Sequence, residues 1–106
     1  GEARCPSITL AIVAESEAAW GDAIQISSAL RASGLSCVLS YAAKPRKGAA
    51  FASKVGAEAI LYVSHLSAEK IQLNLFHLSR DDGQTAAMMS DLIPRLPPRF
   101  GFKLDQ

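Results

Sequence analysis

A chain of 106 residues and 11.2 kDa has room for one domain of common size, and 49% hydrophobic against 20% charged residues supplies a core without the charge excess of a disordered chain. Eleven Lys and Arg against ten Asp and Glu leave a net charge of +1, too small for a dedicated nucleic-acid module, so any contact with RNA has to be local. No apolar run reaches the ~20 residues of a membrane helix, and no basic segment leads into an apolar signal core; a cytoplasmic protein without membrane partners is the expectation.

Ile8, Leu10, Ile12 and Ala14 alternate with Thr9, Ala11 and Val13, and both sets are largely apolar, the pattern of a central strand covered on two faces. Ser16 offers a helix N-cap and Glu17 a first-turn carboxylate. Ala19, Ala23, Ile26 and Leu30 then share one helical face, with Gly34 as the stop. Leu35 to Tyr41 reads as a second strand, and strand, helix, strand defines a right-handed βαβ unit with parallel neighbours. Pro45 suits the entry to a helix over Lys47 to Val55, with Phe51, Ala52 and Val55 buried and Gly56 as its stop. Ala59 to Ser64 reads as a third strand, parallel to the first two.

After a loop around Ser67 to Lys70, Ile71, Leu73 and Leu75 alternate with Gln72 and Asn74, which predicts a strand with one wet face near a sheet edge. Asp81-Asp82-Gly83 suits a tight turn that returns the chain through Gln84 to Met88 as a short antiparallel strand. Ser90 is expected to cap a last helix through Leu92, Ile93 and Leu96, short or kinked at Pro94. The domain is thus expected over residues 7–96, with 97–106 a tail that serves as a linker stub or, through Phe100 and Phe102, an interface arm.

Motifs for chemistry are missing. The glycines spell neither GxGxxG nor a P-loop, and no GxSxG elbow is present. Ser64 and His65 adjoin, but neighbours on a strand point to opposite faces. His65 and His77 read as polar residues at strand ends, and Asp81 and Asp82 are explained by their turn. Cys5 and Cys37 have no CxxC partner and read as reduced thiols, with Cys37 in the core. No catalytic residue, cofactor or metal is expected.

Charge is uneven along the chain. Residues 1–43 hold two bases and four acids, residues 44–54 four bases and no acid, and residues 55–106 five bases and six acids. Lys44, Arg46, Lys47 and Lys54 therefore gather after the second strand, at the carboxyl edge where ligands of open α/β sheets sit. They form either a phosphate-contacting patch or a solvated helix start. Trp20 is either a stacking platform for an unpaired base or a side chain packed under a loop.

Leu30-Arg31-Ala32-Ser33-Gly34-Leu35, then Ala52-Ser53-Lys54-Val55-Gly56-Ala57 before a strand, then Asp82-Gly83-Gln84 after one, resemble the anticodon-binding domain of class II aminoacyl-tRNA synthetases, the histidyl type in particular. The likeness spans roughly residues 7 to 96. It implies a three-layer α/β domain with a mixed, mostly parallel five-stranded sheet and about three helices. It also implies a non-catalytic tRNA (anticodon) binding domain of a histidyl-tRNA synthetase or synthetase-like paralogue, with the aminoacyl-tRNA ligase chemistry in a catalytic domain of the same or another chain. Lys44, Arg46, Lys47 and Lys54 are the expected phosphate contacts, and Tyr41 and Trp20 the stacking candidates. The chain departs from the family's pattern at Gly48-Ala49-Ala50, Ser64-His65-Leu66-Ser67 and Phe76-His77. Those departures, with the small net charge, motivate the alternative of a regulatory or dimerisation module that binds protein, a homodimer included.

Overall fold

The computed structural model describes residues 9–41, 45–77 and 84–105. Strands β1 (Thr9–Ala14), β2 (Ser36–Tyr41), β3 (Ala59–Ser67), β4 (Lys70–His77) and β5 (Phe100–Asp105) form one sheet in the order β2-β1-β3-β4-β5. β1 pairs in parallel with β2 and β3, β4 is antiparallel to β3, and β5 is parallel to β4. Helix α1 (Trp20–Ala32) joins β1 to β2, α2 (Pro45–Val55) joins β2 to β3, and α3 (Gln84–Leu92) with a 3-10 turn (Ile93–Arg95) precedes β5. The expected α/β architecture, with a mixed and mostly parallel five-stranded sheet and three helices, is what the chain adopts.

Handedness explains the layers. The step from β1 to β2 moves one way along the sheet, and the step from β2 to β3 passes back over β1. Two right-handed crossovers in opposite directions must put α1 and α2 on opposite faces. Accordingly Leu10, Ile12 and Ala14 of β1 pack with Ala23, Ile26 and Leu30 of α1 and with Met89 and Leu92 of α3. Ala11 and Val13 pack with Ala52 and Phe51 of α2 and with Ile60 and Tyr62 of β3. β1 is therefore buried on both faces, as its doubly apolar pattern requires.

Both crossover helices stop by the same device. Gly34 and Gly56 take φ of 99° and 71°, and the next N–H turns back, from Leu35 to the Leu30 carbonyl at 3.0 Å and from Ala57 to the Ala52 carbonyl at 2.9 Å. At the other end of α1 the cap differs from expectation. Ser16 Oγ accepts the Ala19 N–H at 3.2 Å in a turn ahead of the helix, which begins only at Trp20.

Four expectations in the last third are corrected. Gln84 to Met88 belongs to α3, not to a returning strand; Ala, Met and Gln are good helix formers, and Met89 and Leu92 at a spacing of three seal the core. Ser90 lies inside that helix, which ends at Leu92, and Pro94 falls in the 3-10 turn, where a missing N–H costs little. The stretch expected as a tail forms β5, with Phe100 buried and Phe102 packed against the core. β4 is consequently interior. Its Gln72 and Asn74 face is wet because α2 covers the other end of the sheet, so alternation here reports a missing helix layer and not an edge. The Asp81-Asp82-Gly83 turn and Cys5 lie outside the described residues.

Candidate functional site

The carboxyl ends of β1, β2 and β3 lie at one rim of the sheet, with Ala14 level with Tyr41 and Val63. The first turns of α1 and α2 begin there as well. In open α/β sheets this rim carries the ligand, and the predicted residues distribute around it unevenly.

Tyr41 ends β2 and is 53% exposed, and Trp20 opens α1 and is 39% exposed. Cys37 and Leu39 belong to the core on the α1 side, and the period of two puts Tyr41 on that side too. Trp20 and Tyr41 thus share a rim and a face. Lys47 is exposed in the first turn of α2, on the other face of the sheet, and that turn carries no acid. Lys54 is exposed in the last turn. Seven residues separate the two lysines, about 10 Å along the axis and about 20° in rotation, so Lys54 stands near the opposite rim on the line of Lys47. Lys47 and Lys54 therefore stand at opposite ends of α2. Arg46 is the second residue of α2, and Lys44 lies outside the described residues.

Two polar pairs that the sequence did not announce join the end of β3 to the segment that follows β1, at Glu15 and at Asp22 of α1. Ser64 Oγ donates to Glu15 Oε1 on the α2 face, and His65 Nδ1 lies 2.9 Å from Asp22 Oδ2 on the α1 face. Strand alternation sends the Ser64 and His65 side chains to opposite faces as expected, and each finds its own carboxylate there. That arrangement gives each part-buried polar side chain a hydrogen-bond partner and keeps Ser64 and His65 apart. Near the first pair, burial and then the Glu15 charge push the Tyr62 hydroxyl above its ordinary pKa. Tyr62 stands edge-on to Phe76, with ring centroids 5.3 Å apart.

Gly48 stands where α2 meets the sheet. A Cβ there would lie 3.0 Å from Tyr62 Cε1, 3.1 Å from its hydroxyl and 3.3 Å from Val13 Cγ1, so α2 lies close to the sheet at this turn and a long polar side chain has no room. Cys37 is buried and unpaired, its carbonyl accepting from Arg31 Nη2 at 3.0 Å. An open cleft of about 300 Å³, lined by Ala32, Ser33, Asp91, Leu92 and Arg95, lies at the far end of α1 from the carboxyl rim. Among the described residues no three His, Cys, Asp or Glu side chains gather to hold a metal, and no helix is long and apolar enough to cross a membrane.

No protein-family model, curated protein or solved structure shows a significant match to the chain.

Proposed function

We propose that this domain is a non-catalytic RNA-binding module that receives tRNA at the carboxyl rim of β1 and β2. The observation that carries the reading is the exposure of Trp20 and Tyr41 on one face of that rim, two aromatic platforms for unpaired bases. Lys47, just across the rim in the acid-free first turn of α2, supplies a phosphate contact, with Arg46 and Lys44 beside it in sequence. The resemblance of the helix-end motifs to the anticodon-binding domain of histidyl-type synthetases supports tRNA as the RNA. The ligase chemistry then belongs to a separate catalytic domain. Localisation in the cytoplasm accompanies this reading.

Trp20 is the chain's only tryptophan, so its fluorescence reports directly on the rim. Titration with tRNA at low salt is expected to quench it, and affinity is expected to fall steeply with salt. Lys47→Glu and Tyr41→Ala should each weaken binding by tenfold or more. Lys54→Glu separates two paths: no effect confines the RNA to the rim, and a comparable loss means that the strand runs along α2. Absence of binding at low salt, or binding indifferent to Lys47→Glu and Tyr41→Ala, overturns the reading.

Among the described residues β2 is an edge strand that carries no charge, which favours a second reading, a module that binds protein. Phe100 and Phe102 do not contribute to it, since both serve the core.

A further inference from the structure

Helices α1 and α3 end beside one another, away from the carboxyl rim, and the cleft of about 300 Å³ opens between those ends. Its α1 wall is rich in acceptors because of the way that helix stops. The N–H groups of Ser33, Gly34 and Leu35 turn back to the carbonyls of Ala29, Leu30 and Arg31, so among the described residues the carbonyls of Ala32 and Ser33 receive no backbone N–H. Both residues line the cleft, at the negative end of the helix dipole. Arg31, the basic residue of that last turn, is drawn away to the Cys37 carbonyl at 3.0 Å and does not line it. On the opposite wall Asp91 and Arg95 are four apart, the spacing at which an acid and a base pair on an α-helix, yet among the described residues neither has an ion-pair partner. The 3-10 turn over Ile93–Arg95 winds at about 120° per residue where an α-helix winds at about 100°, which carries Arg95 roughly 40° further round. Leu92, buried at 7% exposure, gives the cleft an apolar floor.

We propose that this cleft binds a free α-amino acid with an apolar side chain. Asp91 and the unclaimed carbonyls of Ala32 and Ser33 hold the ammonium, the Arg95 guanidinium holds the carboxylate with paired N–H donors, and the side chain rests on Leu92 and the Ala32 methyl. The lining selects a zwitterion over its competitors. A lone anion meets Asp91 and a helix C-terminus, a lone cation meets Arg95, and an apolar solute leaves both charges and both carbonyls without a partner. A nucleotide would set its phosphate charge against a lining with a single cation. The volume stands at the lower end of small-molecule sites, as a ligand of this size requires. Asp91 and Arg95 are exposed, so water competes for each contact and a Kd on the order of 1 mM is expected. Binding here is independent of RNA at the carboxyl rim.

Titration of the isotope-labelled intact chain with L-leucine to about 20 mM at constant ionic strength, followed through its amide NMR signals, tests this. Saturable shifts are expected at Ala32, Ser33, Asp91, Leu92 and Arg95, with Trp20 and Tyr41 unmoved. Isoamylamine, which lacks the carboxylate, and isocaproate, which lacks the ammonium, should each bind about fivefold more weakly or worse. Asp91→Asn and Arg95→Gln replace exposed side chains, so circular dichroism should be unchanged, and each should weaken leucine by a similar factor. The two variants should also differ in kind: Arg95→Gln spares the response to isoamylamine, and Asp91→Asn spares the response to isocaproate. No saturable shift with leucine, an equal response to leucine and to either half of it, or binding indifferent to both substitutions overturns the proposal.

Discussion

His65 at the end of β3 and Asp22 in the first turn of α1 meet at 2.9 Å across 43 positions of sequence, fixing the start of α1 against the strand that runs beside β1. Both side chains are largely withdrawn from water, so the bond escapes most of the competition that weakens surface pairs. Asp22→Ala and His65→Ala are each expected to cost about 1 kcal/mol in urea denaturation. The double variant should cost measurably less than the two singles together. Strict additivity would mean that the pair contributes no coupling.

Such a contact could not be read from spacing, because it exists only once β3 is known to lie next to β1. What periodicity and stop signals made legible were local facts. The Ala19, Ala23, Ile26 and Leu30 stripe, the two helix-ending glycines and the doubly apolar β1 all appear where the sequence puts them. Gln84 to Met88 misled because a short apolar run after a presumed turn is ambiguous between strand and helix, and Met89 and Leu92 settle it only through the core they reach. The candidate rim was partly legible. Tyr41 and Lys47 follow from βαβ order, and the expected helix over Lys47 to Val55 already carries Lys54 to its far end, whereas the pairing of Trp20 with Tyr41 on one face required the position of α1.

Phe100 decides whether the last residues belong to the framework. The ring is buried beneath Arg99, whose guanidinium carbon lies 4.7 Å from the ring centroid, and β5 is held by six residue pairs with β4. Phe100→Ala is expected to destabilise the domain by about 3 kcal/mol or more in chemical denaturation. A dangling tail would show a change near zero.

Gly48 sets local helix propensity against packing. Alanine in a helix interior is worth about 1 kcal/mol over glycine, so propensity alone predicts that Gly48→Ala stabilises. The contacts of 3.0 and 3.1 Å with the buried Tyr62 ring oppose this, and overpacking costs typically about 1–3 kcal/mol. A net loss in thermal or urea stability is expected. Ala49 and Ala50 are exposed on the same helix, and replacing either by glycine should cost about 1 kcal/mol by propensity alone. A stabilised Gly48→Ala protein would show that the ring yields freely.

Burial pushes the Cys37 thiol from 9.0 to about 11, against a smaller opposing effect of Arg31. The folded chain therefore holds this proton more tightly than the unfolded chain does. The associated stability is complete below pH 9 and is lost as pH climbs toward 11. Cys37→Ala should flatten the stability profile in that window relative to the parent protein. At pH 8 the native thiol should resist a thiol reagent that labels it promptly in urea. Equal labelling rates in the two states would contradict the burial.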